Sequence, residues 1–126
     1  ISLYNPSDSQ NQKAEKLSHN LENFDLYISN FIFLETVTVF SQRVGRKLAV
    51  KLGNRLLESE SINLIQVDTE LQKQTWRIFC DTQKKNTSFV DCSTIAIMQA
   101  EGIDKLLTFD QEDFKPLLKK HHLSLF

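Results

Sequence analysis

The stretch from Ser88 to Phe114 constrains the fold of this chain more than any other. It reads SFVDCSTIAIMQAEGIDKLLTFDQEDF, and it opens with a short apolar segment that ends at Asp91. A run with helical periodicity follows, from Ser93 to Glu101. Gly102 is placed to end that helix, because glycine readily enters the left-handed conformation just past a helix end. The stretch therefore predicts a helix that is preceded by an acidic residue.

A second apolar run in the same stretch, Lys105 to Phe109, also ends on an acid, Asp110. A helix followed by a strand, with an acid at each junction, is typical of half a parallel α/β unit. Ligands of such sheets bind outside the carboxyl ends of the strands. Two carboxylates at one such edge, Asp91 and Asp110, therefore suggest a cation site.

The rest of the chain is predicted to alternate helices and strands in the order αβαβαβαβ, which indicates an α/β fold with a mostly parallel sheet. The first predicted elements are a polar helix from Gln10 to Asn23 and a strand buried on both faces from Asp25 to Leu34. A helix from Thr36 follows, with an apolar stripe at Phe40, Val44, Leu48, Leu52 and Leu56, and then a strand from Ile62 to Val67 and a helix that starts at Asp68–Glu70 with Leu71, Trp76, Phe79 and Cys80 as core. The last predicted elements are a short helix from Lys115 to Lys120 and an edge strand from Leu123 to Phe126.

Composition narrows the class of protein without naming a function. The 126 residues suffice for one domain with a real core, and the net charge of −1 gives no global argument for binding nucleic acid or membrane. The spacing of Cys80 and Cys92 fits neither a zinc site nor a thioredoxin motif, so a reducing cytosolic compartment is favoured. Apolar runs fall short of the ~18 residues of a membrane span, and no signal peptide is visible.

Three acids are predicted to lie near carboxyl ends of strands or on the approach to a helix: Glu35, Asp91 and Asp110. Right-handed crossovers bring such strand ends to one edge of a parallel sheet. Carboxylates gathered there favour Mg²⁺ or Mn²⁺ over zinc. The alternative is helix capping, in which each acid is stabilised by a helix dipole without any metal. Asp113 is a further acid that either supports the metal site or caps the last helix.

Two segments resemble the PIN domain family. FVDCSTIAIMQAEGIDKLLTFDQEDF is similar to the C-terminal signature of PIN domains, and FLETVTVF is similar to the segment that carries their strand-two acid. The likeness in element order runs from Asn5 to Phe126. It implies a three-layer α/β/α sandwich and a Mg²⁺- or Mn²⁺-dependent ribonuclease with Glu35, Asp91 and Asp110 as metal ligands. Small members are commonly VapC-type toxins that dimerise and are held inactive by an antitoxin.

The family's first acid ends strand one, and no such segment is present. Ile1 to Tyr4 resembles the continuation of that segment, so residues 1–126 are expected to be a single PIN-like domain without its first strand. Asp8 is a poor substitute, since the turn at Asn5-Pro6 comes before it. Tyr4 is a candidate contact to substrate at the active edge.

Basic residues follow one face of the helix predicted after Glu35: Arg43, Lys47, Lys51 and Arg55. Such a stripe could hold RNA phosphates, the acidic tail of an inhibitor, or only solvent. Ser93 is a further candidate for substrate contact, although hydroxyls in a first helical turn more often bond the backbone. Trp76 and Phe79 could stack on bases, but aromatic residues at helical spacing are expected to be core.

The sequence thus favours a metal-dependent endoribonuclease that cleaves single-stranded or structured RNA in the cytoplasm as the toxin of a toxin–antitoxin pair. The alternative is a PIN-like module without catalysis that binds RNA or a protein. A phosphate-chemistry enzyme with Asp91 or Asp110 as nucleophile would need a D-x-D motif or an active-site lysine after a strand, and neither is found.

Overall fold

Two parallel strand pairs, each connected through helices, form the framework of the protein. The computed structural model describes residues 25–108 and 111–126. Packing of the chain divides it into two units, Ile1–Ile65 and Gln66–Phe126. The predicted helix from Gln10 to Asn23 lies outside the described residues.

The described elements of the first unit form one β-α-α-β segment. Its elements are strand β1 (Leu26–Ser29), helix α1 (Asn30–Arg43), helix α2 (Arg46–Glu58) and strand β2 (Ile62–Ile65). The strands pair in parallel, from Leu26 opposite Ile62 to Ser29 opposite Ile65. The parallel pairing was predicted, and β2 ends two residues before the predicted Val67.

Strand β1 ends earlier than the predicted Leu34 because Ser29 caps helix α1. The Ser29 hydroxyl accepts a hydrogen bond from the Ile32 amide at 3.0 Å, and Ser29 itself has extended backbone angles. The apolar residues 31–34 are therefore helical, although their composition is typical of a strand. The prediction that β1 is buried on both faces is also wrong, because Tyr27 is 40% exposed.

The helix predicted to run unbroken from Thr36 is interrupted at Val44 and Gly45. Gly45 has a φ of 134°, which an L side chain rarely adopts, so the chain changes direction there. Residues on either side of the break are buried, namely Phe40, Ala49 and Leu52, and Leu56 packs against them. The middle of the predicted apolar stripe is exposed instead, as Val44 (38%) and Leu48 (44%) show.

The second unit consists of three helices and a short parallel strand pair. Its elements are helix α3 (Thr69–Cys80), helix α4 (Phe89–Glu101), strand β3 (Lys105–Leu106), helix α5 (Gln111–Lys120) and strand β4 (Ser124–Leu125). Strand β3 pairs in parallel with β4, Lys105 opposite Ser124 and Leu106 opposite Leu125. The core of the unit is built from Ile78, Cys92, Ile95, Ala96, Met98, Leu117 and Leu118.

Helix α3 begins as predicted but buries a different face. The Asp68 carboxylate accepts the Leu71 amide at 3.0 Å and caps the helix. Thr75 and Ile78 are buried, and the Thr75 hydroxyl donates to the Leu71 carbonyl at 2.7 Å, so its burial leaves the hydroxyl satisfied. The prediction that Trp76 and Phe79 form the core is wrong, because Trp76 is 58% and Phe79 37% exposed.

The predicted end of helix α4 is confirmed. Gly102 adopts φ 67° and ψ 30°, the left-handed conformation, and its amide donates to the Met98 carbonyl. Within the described residues, none of the helices has the length and apolar composition required to cross a bilayer.

Replacing Gly102 with alanine should lower the free energy of unfolding by about 1 kcal/mol, because a Cβ is strained in the left-handed conformation. Gly53→Ala is the matched control. A Cβ at Gly53 would meet Phe33 at 3.6 Å and Val37 at 3.7 Å, which are ordinary contacts, and alanine has the higher helix propensity. Urea unfolding followed by circular dichroism should show Gly53→Ala as neutral or stabilising. Equal losses from both changes would contradict the assignment.

The two cysteines should differ sharply in reactivity. Both are free, with Cys80 exposed and Cys92 buried. Burial raises the pKa of the Cys92 thiol, and a hydrogen bond with Thr82 only partly opposes this. Since the thiolate is the reactive form, iodoacetamide at neutral pH should label Cys80 alone in the folded protein and both cysteines in denaturant, as counted by intact mass. Labelling of Cys92 at the rate of Cys80 would contradict the buried position.

Candidate metal-binding site

Asp91 lies in the first turn of helix α4, where it is held by a reciprocal pair of hydrogen bonds with Ser88. The Ser88 hydroxyl accepts the Asp91 amide at 3.0 Å, and Asp91 Oδ2 accepts the Ser88 amide at 2.9 Å. This is a capping box, in which two amides without helical partners are satisfied at once. The helix consequently starts at Phe89, four residues before the predicted Ser93, and the capping alternative for Asp91 is realised.

Capping engages one of the two oxygens of the Asp91 carboxylate. Only Oδ2 is engaged, and Oδ1 accepts no hydrogen bond within the part of the chain that the structure describes. The side chain is half-buried. A negative charge is favourable at a helix N-terminus, so Asp91 is a fixed carboxylate with one oxygen left for a cation.

Asp113 lies in the first turn of helix α5, beside Glu112. Its side chain is exposed, whereas Glu112 pairs with Lys115 at 3.1 Å. The first turn of α5 is a favourable place for an acid on dipole grounds alone. Asp110, one residue before α5, lies outside the described residues, and so does Tyr4. Their roles stay predictions.

Glu35 was expected at the end of a strand, and this position is wrong. Glu35 is the sixth residue of helix α1, and its side chain is exposed. The reason is the Ser29 cap, which starts the helix at Asn30, five residues before Glu35. Its assignment as a metal ligand stays a prediction with a different structural basis, a helical one.

The chemistry of the proposed donor atoms indicates which metal ion they suit. Neither unit, within residues 25–108 and 111–126, contains three or more His, Cys, Asp or Glu side chains arranged to hold a metal. The proposed donors, Glu35, Asp91, Asp110 and Asp113, are all carboxylates, and carboxylate oxygens suit Mg²⁺ or Mn²⁺. Asp91 fits such a site because its second oxygen is already fixed by the backbone.

The predicted substrate-binding residues differ in their surroundings. Ser93 is fully buried and its hydroxyl donates to the Val90 carbonyl at 2.6 Å, so its hydrogen serves the backbone. Arg43 and Lys47 are exposed. The break at Gly45 places Arg43 on α1 and Lys47 on α2, so the prediction of a continuous basic stripe on one helix is wrong.

The sequence suggested base stacking by Trp76 and Phe79 but favoured a core position for both, so the exposed aromatic surface on helix α3 was not expected. Its signal was the spacing of Leu71, Thr75 and Ile78, which places a threonine in the buried stripe and turns Trp76 outward. A threonine that bonds the carbonyl four residues before it can be buried in a helix, and this makes the stripe recognisable.

Replacing Ser88 with alanine tests whether the cap and the carboxylate act separately. The change removes the hydroxyl acceptor and should cost about 1 kcal/mol of folding stability. The Ser88 amide that holds Asp91 is backbone and remains. We therefore expect lower stability in urea and no change in the predicted RNA cleavage per folded molecule, measured well below the unfolding midpoint. Unchanged stability would contradict the capping role.

Comparison with known proteins agrees with this architecture. The PIN domain profile matches residues 1–117. VapC20, the 23S rRNA-specific endonuclease of Mycobacterium tuberculosis, is 30% identical over 82 residues in strains CDC 1551 / Oshkosh and ATCC 25618 / H37Rv. That match covers 65% of this chain and only 62% of the length of VapC20.

A solved structure is similar as well. The crystal structure of Mycobacterium tuberculosis VapC20, a sarcin-ricin loop cleaving toxin, superposes with a TM-score of 0.81 at 26% identity. The superposition covers 92% of this chain and 87% of that one. The predicted resemblance and the predicted PIN-like α/β fold are confirmed.

Proposed function

Because the chain belongs to the PIN domain family, we propose that it is a metal-dependent endoribonuclease and the toxin of a toxin–antitoxin pair. The likeness to VapC20 in sequence and fold carries this proposal, since VapC20 is an endonuclease specific for 23S rRNA and a sarcin-ricin loop cleaving toxin. The family match runs across both units, which supports treating residues 1–126 as one PIN-like domain.

The proposed site uses Glu35, Asp91 and Asp110 as ligands of Mg²⁺ or Mn²⁺, with Asp113 in support. When bound, such an ion activates water and stabilises charge on a phosphodiester. Within the chain, the Ser88 amide orients Asp91 and keeps its carboxylate from rotating. A metal ligand that is already held by a hydrogen bond from the backbone is positioned before the ion binds, which favours binding of the ion.

RNA is the proposed substrate, and structured rRNA of the kind cleaved by VapC20 is the first target to test. An antitoxin protein and a second copy of the chain are the proposed partners, on the strength of the same likeness. The proposed compartment is the cytoplasm, and two free cysteines agree with reducing conditions.

Asp91→Asn tests the proposal directly. Asparagine can still accept the Ser88 amide through its carbonyl, so the cap survives while the negative charge is lost. RNA cleavage with Mg²⁺ or Mn²⁺ should fall by more than the roughly 10- to 100-fold that follows loss of a residue supporting a metal ligand. The assay is cleavage of end-labelled RNA on a gel, and chelation by EDTA should abolish it.

Asp68→Asn is the matched control. Asp68 caps helix α3 by accepting the Leu71 amide, and asparagine caps nearly as well. Asp68 is not one of the proposed ligands, so the same change of charge at a helix start should leave cleavage intact. Cleavage that survives both Asp91→Asn and EDTA would refute the metal mechanism. RNA binding without cleavage under any divalent metal would favour the non-catalytic module instead.

A further inference from the structure

An aromatic and basic depression lies along helix α3 and beside the first residue of helix α4, and none of the proposed metal ligands is among its described lining residues. We call it the Trp76 platform, and it is lined by Thr69, Gln72, Lys73, Trp76, Arg77 and Phe89. Its volume is about 490 Å³, within the range of roughly 300–1,000 Å³ that is usual for small-ligand pockets. A space of this size accommodates a single nucleotide.

The aromatic rings of this surface form a braced stack. The Trp76 and Phe79 ring centroids are 5.8 Å apart with 24° between the planes, and Phe79 meets Phe89 edge-on at 5.8 Å and 71°. Phe79 and Phe89 thus hold the indole in place, while Trp76 remains 58% exposed. A large, rigid and exposed ring is the feature on which nucleic-acid bases stack.

Two cations on the same helix line the depression together with that ring. Lys73 and Arg77 are four residues apart, and therefore on one face of α3, to one side of Trp76. Lys73 is 3.5 Å from Glu70 in an exposed pair, and Arg77 donates to Gln74 at 3.1 Å. Exposed pairs of this kind contribute little to stability, so both cations can turn to a phosphate.

The lining suits a nucleotide. Among the described residues it contains two cations, two aromatic residues and two uncharged polar residues, with no aliphatic side chain and no acid. A nucleotide supplies both a ring that stacks on an aromatic side chain and phosphates that pair with cations, which matches this lining. Phe89 is the first residue of α4, the helix that also carries Asp91.

We propose that the Trp76 platform binds one nucleotide of single-stranded RNA, with the base stacked on Trp76 and the adjoining phosphates held by Lys73 and Arg77. This inference rests on the proposed function, because it takes RNA as the substrate. It adds a binding subsite that lies outside the proposed carboxylate ligands.

Trp76 is the sole tryptophan of the chain, so intrinsic fluorescence reports on the platform alone. A short oligouridylate is titrated into the Asp91→Asn protein in EDTA, where neither cleavage nor a metal-bridged contact is possible. Saturable quenching is expected. Absence of quenching at RNA concentrations that saturate binding of a labelled oligonucleotide would overturn the proposal.

Affinity for a fluorescein-labelled oligouridylate, measured by anisotropy, tests the stacking. Trp76→Ala should weaken binding at least about fivefold, the lower end of the effect of removing a stacking residue, and Trp76→Phe should retain most of it. Tyr27→Ala is the control, because Tyr27 is an exposed aromatic residue (40%) on strand β1. Circular dichroism shows that each variant is folded, and Trp76→Phe keeps the test valid if the alanine variant is not.

The salt dependence of binding tests the cations. Lys73→Gln and Arg77→Gln should each reduce the slope of log affinity against log salt by about 0.7, the value for one phosphate contact on a single strand. Lys115→Gln should not, although Lys115 forms the same type of pair three residues from Glu112. Equal slopes in all variants would overturn the phosphate assignment.

Two further outcomes separate the possible failures. If Trp76→Ala turns a dimer into a monomer by light scattering and leaves RNA affinity unchanged, the surface is an interface between copies and the proposal is overturned. If the platform variants bind and cleave RNA normally, the inference fails while the proposed nuclease function stands. If RNA binds the platform but is never cleaved with Mg²⁺ or Mn²⁺, the subsite is supported and the nuclease function fails.

Discussion

The exchange of hydrogen bonds between Ser88 and Asp91 is the interaction on which the second unit depends. It sets the first residue of helix α4, and this helix supplies most of the buried core, including Cys92, Ile95, Ala96 and Met98. Without this pair of bonds the first amides of the helix would lack partners, at a cost of about 1 kcal/mol of stability. The same bond orients the carboxylate with the clearest candidate role. Stability and chemistry thus share one pair of residues.

The two faces of helix α3 have different roles. Thr75 and Ile78 bury one face, while Lys73, Trp76 and Arg77 remain on the surface. A hydroxyl bonded within the helix allows a small polar residue to occupy the core, which leaves the large aromatic ring outside. In the proposed mechanism, α4 supplies the Asp91 carboxylate that would hold the divalent ion, and α3 binds a nucleotide of the RNA.

Several elements could be foreseen because their causes are local. Gly102 ends its helix through its own backbone freedom, Asp68 starts one through its own carboxylate, and the parallel pairing follows from alternation of helices and strands. The family motif around Asp91 is equally local, and the PIN-like fold followed from it. Asp110 and Tyr4 lie outside the described residues, so their placement remains a prediction from that motif.

The sequence by itself determined the family and the identity of the candidate carboxylates, since each depends on residues close together along the chain, whereas the predicted strict alternation of helices and strands is wrong because two helices follow one another in two places. Tertiary structure decided where Glu35 lies, that the helix after it is broken at Gly45, and that Trp76 is exposed. Composition could not resolve these points, because residues 31–34 have the composition of a strand and are nevertheless helical. Packing of Phe40 on α1 with Leu52 on α2 selects between such alternatives, and the local cap by Ser29 fixes where the helix begins.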